Sequence, residues 1–148
     1  MPSGRDMARA LRAAYLALHR QTNDCFAEHG VTADQFVLLA ALAEAAAVTQ
    51  QDLVRRVGSD PNTVRAMLLL LEGRGLVTRE RHPVDGRARS VSITKKGLRI
   101  YHQLRQAVEP FLAQLVSDFR PEEVQTLQGL LRRIPPALTA NSPRPAPG

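Results

Sequence analysis

Residues 60–94 read DPNTVRAMLLLLEGRGLVTRERHPVDGRARSVSIT. Asp60 can accept from the free N–H groups of a first helical turn, and Pro61 sits where a missing N–H costs nothing. The spacing predicts a helix from Pro61 to near Gly75, with Val64, Met67, Leu68 and Leu71 as its inward stripe. Asn62, Thr63, Arg65 and Ala66 then face away. Two strands follow, roughly 76–82 and 89–94, joined across PVDGRA, where Asp85-Gly86 is the strongest turn signal in the chain. Arg87 and Arg89 share strand parity with Val91 and Ile93, whose side chains reach the core. Toward the tip that face runs past the core, so the two arginines project into solvent.

Just upstream, VTQQDL (48–53) places Thr49 as an N-cap with Asp52 three residues on, and Val48 can pack on Leu53. This short helix stops near Val57, at VGSDP. A short helix, a turn containing Gly58 and a longer helix make a helix-turn-helix, with the hairpin beyond it as a wing. An ordinary helical hairpin is the plainer alternative. Against it stand the small polar residues Asn62 and Thr63 at the start of the second helix, followed by Arg65, and the distribution of charge. The formal charge is +6, and residues 49–99 hold eleven Lys or Arg against five Asp or Glu; the rest of the chain has nine of each. A cationic segment in a neutral frame points to a polyanion. An Arg at a hairpin tip can enter a narrow minor groove while the helix occupies the adjacent major groove.

The flanking segments are helical. Residues 7 to about 29 carry Leu11, Tyr15, Leu18, Cys25 and Phe26 three or four apart, a buried stripe ended by Gly30 as a left-handed cap. In VTADQF, Thr32 and Gln35 form a capping box, with Val31 and Phe36 placed as a staple before a helix through FVLLAALAE. Thr94 caps a long helix bearing Leu98, Tyr101, Leu104, Val108, Phe111, Leu112 and Leu115, which Pro110 should kink. Pro121 opens a last helix with Val124, Leu127, Leu130, Leu131 and Ile134 on its apolar face. From Pro135 onward the chain has too little apolar surface and too much Pro to fold. The expected class is mainly α with a small β-hairpin wing.

DGRARSVSIT fits the Asp-x-Arg, five residues, Leu/Ile-Thr pattern of the multiple-antibiotic-resistance regulator (MarR) family. DPNTVRAMLLLLEGRGLVTRERHPVDGR resembles that family's recognition helix and wing, and the likeness covers roughly residues 7–134. The resemblance implies a homodimeric winged-helix transcriptional regulator binding a pseudo-palindromic operator in double-stranded DNA. Residues 7–30 and 95–134 would be dimerisation helices, 32–94 the winged helix-turn-helix (helix-turn-helix about 49–74, wing about 76–94) and 135–148 a disordered tail. It implies Arg87 as the minor-groove arginine, Asp85 orienting wing arginines, and Asn62, Thr63 and Arg65 in the major groove. Thr49, Gln51, Arg74 and Arg89 complete the candidate DNA-binding set. Where many members carry charged residues late in the recognition helix, this chain has Leu69 and Leu70, whose expected role is packing under the wing or toward the neighbouring helix.

Enzyme chemistry finds no footing. There is no Gly-rich phosphate loop, nucleophile elbow or pair of catalytic carboxylates, and no cofactor is expected. The four histidines (19, 29, 82 and 102) lack the spacing of a metal site, and one cysteine permits neither an internal disulfide nor a Cys-based zinc site. No apolar run approaches a membrane span and MPSGRDMARA lacks a signal-peptide core, so the expected location is cytoplasmic. The leading reading is a repressor released by a small aromatic or phenolic ligand. Two others stand beside it: a winged-helix protein-interaction module without a DNA role, and a redox-sensing regulator acting through Cys25. Cys25 itself is expected to be a buried, inert thiol.

Overall fold

The structure is a computed structural model that describes residues 1–81, 84 and 89–140. Its elements run α1 (Gly4–Phe26), a 3-10 turn (Ala27–His29), α2 (Ala33–Ala43), β1 (Val48–Thr49), α3 (Gln50–Val57), α4 (Pro61–Gly73), β2 (Val77–Arg81), β3 (Arg89–Ile93), α5 (Lys95–Ser117) and α6 (Pro121–Ala140). The chain divides into two compact units, Met1–Val108 and Glu109–Gly148. Among the described residues, no helix is long and apolar enough to cross a membrane.

Local cap chemistry sets most helix starts in the first unit. Ser3 accepts from the Asp6 N–H, so α1 begins at Gly4, three residues before the expected start at residue 7. Thr32 and Gln35 exchange the reciprocal bonds of a capping box, at 3.1 Å each. The Ala33 N–H, another donor without a helical partner, reaches the Asn23 side-chain oxygen on α1 at 2.7 Å. Thr49 caps α3 by accepting from Asp52, and Asp60 caps α4 by accepting from the Thr63 N–H at 2.9 Å. Gly58, at φ 67, closes α3 in the left-handed region, where a side chain would be strained.

The core of this unit is formed by Phe26 from α1, Leu38, Leu39 and Leu42 from α2, Leu53 from α3, and Val64, Leu68 and Leu71 from α4. Leu76, Val77, Val91 and Leu104 complete it; all are inaccessible or nearly so. A row of rings, Phe26–Phe36 at 5.0 Å and Phe36–Tyr101 at 5.5 Å between centroids, joins α1, α2 and α5.

The sheet has three strands in the order β1-β3-β2, all antiparallel. Sequence reasoning finds the hairpin and misses β1, which pairs Val48 with Val91 and Thr49 with Ser90. A two-residue strand gives no alternation to detect, and its second residue doubles as the α3 cap. Behind the sheet, Thr94 links two connections: its hydroxyl donates to the Gly75 carbonyl at 2.7 Å and accepts from the Gly97 N–H at 2.9 Å. A Cβ at Gly97 would lie 2.1 Å from the Leu76 carbonyl oxygen, so α5 starts against the backbone at a distance only glycine permits.

Four expectations need correction. Leu11, Tyr15 and Leu18 are exposed in this chain, and of the proposed α1 stripe only Phe26 is buried. Cys25 is half-buried rather than enclosed. Leu69 and Leu70 pack under nothing: they are 47% and 61% exposed. Finally, the chain does not lose its fold at Pro135, because α6 runs through Pro135 and Pro136 to Ala140. Leu138 continues the helical spacing of Leu127, Leu131 and Ile134 beyond the prolines, and the Thr139 hydroxyl donates to the Pro135 carbonyl at 3.0 Å.

Candidate nucleic-acid interface

Of the candidate residues, Thr49 and Gln51 lie at the start of α3, Asn62, Thr63 and Arg65 on α4 and Arg89 on β3, all in the first unit. The α4 stripe Val64, Leu68 and Leu71 is fully buried, which turns Asn62, Thr63, Arg65 and Ala66 outward, all exposed. Asn62 and Arg65 have no side-chain partner among the described residues. Thr63 is different. Its hydroxyl donates to Asp60 Oδ2 at 2.6 Å while its N–H donates to Oδ1, leaving only hydroxyl lone pairs free to accept. The Thr63 hydroxyl, and after it the Thr63 N–H, hold the Asp60 carboxyl below the usual aspartate range.

Gln51 is exposed in the first turn of α3, beside the half-buried Thr49, whose side-chain oxygen is engaged as the cap. Arg55 forms an ion pair with Asp52, and Arg56 is exposed without an acid partner among the described residues. Arg89 opens β3 and is exposed; Asp85 and Arg87 lie outside the described residues. The strand register adds a residue that sequence reasoning missed, since Arg81 stands directly opposite Arg89. Both are exposed, and neither has an acid partner among the described residues. Like charges facing each other across a strand pair repel, and a phosphate would relieve that repulsion. The sequence carried no signal for it, because the facing depends on a register that only the strand pairing shows.

Arg79, two residues before Arg81, is only 18% exposed at its side chain and pairs with Glu72 of α4 at 3.3 Å. That ion pair ties the hairpin to the helix and neutralises Glu72, the one acid within Pro61–Gly73. Arg74 is placed elsewhere. Its guanidinium donates to the carbonyls of Gly30 at 2.7 Å and His29 at 2.9 Å, terminating the 3-10 turn that follows α1. Its position in sequence suggested a DNA contact, and the structure uses it as a clasp between residues 44 and 45 apart.

A buried-backed helix offering small polar and cationic residues, held beside a hairpin whose Arg81 and Arg89 have no acid partner among the described residues, defines a winged helix-turn-helix protein. The MarR family profile matches residues 29–88. The chain is 32% identical over 118 residues to the multiple antibiotic resistance protein MarR of Escherichia coli, covering 79% of this chain and 82% of that one. It is 29% identical to the homoprotocatechuate degradative operon repressor of Escherichia coli, over 72% of each chain. Among solved structures, a mutant MarR from E. coli complexed with operator DNA superposes with a TM-score of 0.81 at 29% identity, over 87% of this chain and 93% of that one. Bordetella bronchiseptica BpsR, solved in connection with regulation of its DNA binding by 6-hydroxynicotinic acid, superposes at 0.80 with 27% identity, over 86% and 91%. The chain belongs to the MarR family of transcriptional regulators, which are not enzymes.

Proposed function

We propose that the chain is a homodimeric, sequence-specific repressor that binds a pseudo-palindromic operator and is released by a small aromatic ligand. The observation that carries this reading is the outward face of α4: Asn62, Thr63 and Arg65 stand exposed, with no acid between Pro61 and Leu71. Asn62 and Arg65 are suited to the hydrogen-bonding edges of bases in a major groove. Arg56, Arg81 and Arg89 supply cations for phosphates, and Arg87 is the residue proposed for the minor groove.

The dimer is supported by apolar surface that one chain leaves uncovered. Met7, Leu11, Tyr15 and Leu18 on α1, and Leu127, Leu130 and Leu131 on α6, are exposed. Apolar stripes of this kind on a soluble chain mark association surfaces. Two-fold symmetry in the protein then calls for two half-sites about one helical turn apart. The repressor role and the aromatic ligand draw support from two relatives, the homoprotocatechuate degradative operon repressor and BpsR. Such a repressor works in the cytoplasm.

Selection from a random duplex pool, followed by competition between the enriched and random duplexes at fixed salt, tests this reading. An inverted repeat with half-sites about 10 bp apart should emerge. Its affinity should fall by about 10³ or more between roughly 50 and 200 mM salt if six to ten phosphates are neutralised. Equal affinity for enriched and random duplexes would remove the sequence-specific role.

A further inference from the structure

The late part of α4 carries a feature that the polar and cationic contacts leave unused. At 3.6 residues per turn, Asn62, Ala66, Leu69 and Gly73 fall along one strip of the helix, opposite the buried Val64, Leu68 and Leu71. Leu70 lies beside that strip on the side of Thr63. Ala66 is exposed, Leu69 and Leu70 are 47% and 61% exposed, and a Cβ built at Gly73 would meet nothing within 4 Å. The strip is therefore open to a partner along its length, polar at its first turn and apolar beyond.

We propose that Ala66, Leu69 and Leu70 read thymine C5-methyl groups in the major groove; this rests on the DNA-binding reading above. Leucine and alanine side chains neither donate nor accept hydrogen bonds, so they cannot hold a phosphate or a polar base edge. The apolar group that B-DNA presents in its major groove is the thymine methyl. Asn62 and Leu69 are separated by about 10 Å of helix rise, which spans about three base-pair steps. A helix lying along the groove with Asn62 on one base pair thus brings Leu69 to thymines about three pairs away.

The surroundings favour DNA over a protein partner. Arg65 on α4, Arg56 on α3 and Arg81 and Arg89 on the hairpin are exposed cations of the same compact unit as the strip, while Glu72 of α4 is held by Arg79. Methyl groups bordered by phosphates have the complementary arrangement. Two leucines and an alanine also fall far short of the roughly 1,000 Å² that a specific protein interface needs.

Deoxyuridine tests the proposal, because it removes the thymine methyl and leaves every hydrogen-bonding group in place. The probe is the duplex enriched by the wild-type chain, with each thymine replaced singly by deoxyuridine. Wild type should lose about fourfold in affinity for each methyl read, at one or two positions per half-site. The double variant Leu69→Ala, Leu70→Ala should bind the thymine duplex more weakly and show no penalty for deoxyuridine at those positions. Asn62→Ala should keep the penalty. Circular dichroism and sedimentation check that the variants remain folded with unchanged assembly. The proposal is overturned if wild type tolerates deoxyuridine everywhere, or if the double variant retains the full penalty. It is also overturned if that variant changes self-association while binding DNA normally, since the strip would then be a contact between copies. Failure to enrich any duplex would instead overturn the DNA-binding reading on which the proposal stands.

Discussion

Replacing Arg74 by alanine separates a structural clasp from a DNA contact. Its two guanidinium hydrogen bonds, at 2.7 and 2.9 Å, satisfy the carbonyls of Gly30 and His29 at the end of the turn after α1. Bonds from a charged donor contribute about 1.5–3 kcal/mol each when well shielded. These are exposed, and the freed carbonyls can turn to water, so about 0.5–1 kcal/mol each is the appropriate scale. Their combined loss of about 1–2 kcal/mol should lower Tm by about 2–8 °C for a chain of this size. Melting must be followed at fixed protein concentration, because an associating chain melts later when concentrated. In parallel, fluorescence anisotropy on the enriched duplex gives the slope of log affinity against log salt. Each lost phosphate contact would reduce that slope by about 0.9, or about 1.8 for two protomers. The clasp leaves the slope unchanged. An Arg74→Ala protein that melts like wild type and binds with a slope reduced by about 1.8 would refute this assignment and restore Arg74 to the DNA-binding set.

Gly97→Ala should destabilise by about 1–3 kcal/mol and lower the thermal midpoint, because the new methyl would lie 2.1 Å from the Leu76 carbonyl oxygen; an unchanged midpoint would mean that the start of α5 moves freely. The Asp60 cap should give acid-sensitive stability. Its carboxyl is held below the ordinary value in the folded chain, so its contribution is present above the unfolded pKa of about 4 and is lost as pH falls through the folded pKa. Asp60→Asn keeps a capping oxygen without a titration and should flatten that part of the stability–pH curve. Leu131→Glu, on the exposed apolar face of α6, should shift sedimentation toward monomer at micromolar concentration; a persistent dimer would exclude that face from the interface. Arg87→Ala should weaken operator binding and reduce discrimination between A·T and G·C at the groove the wing enters, which binding curves on duplexes altered at those steps would measure.

Chemistry contained within a few residues was legible in the sequence. Thr32, Thr49, Asp60 and Thr94 were each readable as N-caps, and each side chain accepts from the backbone N–H three residues on. The buried stripe of α4 was equally readable, because a helical period leaves its own trace. What escaped depends on residues distant in sequence. Arg74 meets carbonyls more than forty residues away, β1 exists only through pairing with β3, and Arg81 becomes notable only when the register puts Arg89 opposite it. The α1 stripe shows a different limit: periodicity identifies an apolar face without specifying whether the same chain covers it. Leu69 and Leu70 were expected to pack because leucines usually do, whereas their angular positions on α4 already turned them toward Asn62 and Thr63.

The central claim is that the outward face of α4 selects DNA sequence, and the specificity ratio of an α4 variant tests it most directly. Affinity for the enriched duplex and for random duplex should be measured at one salt concentration for wild type and for Asn62→Ala with Arg65→Ala. Both substitutions are at exposed positions, where stability usually changes by no more than about 0.5 kcal/mol. The double variant should lose affinity for the enriched duplex by about 1–3 kcal/mol per base contact removed, while random-duplex binding falls only by the share of one phosphate-attracting charge per protomer. The ratio between the two affinities should therefore fall by about the factor those lost base contacts supplied. A folded variant that keeps the wild-type ratio would contradict the account, because sequence would then be read by some other face of the protein.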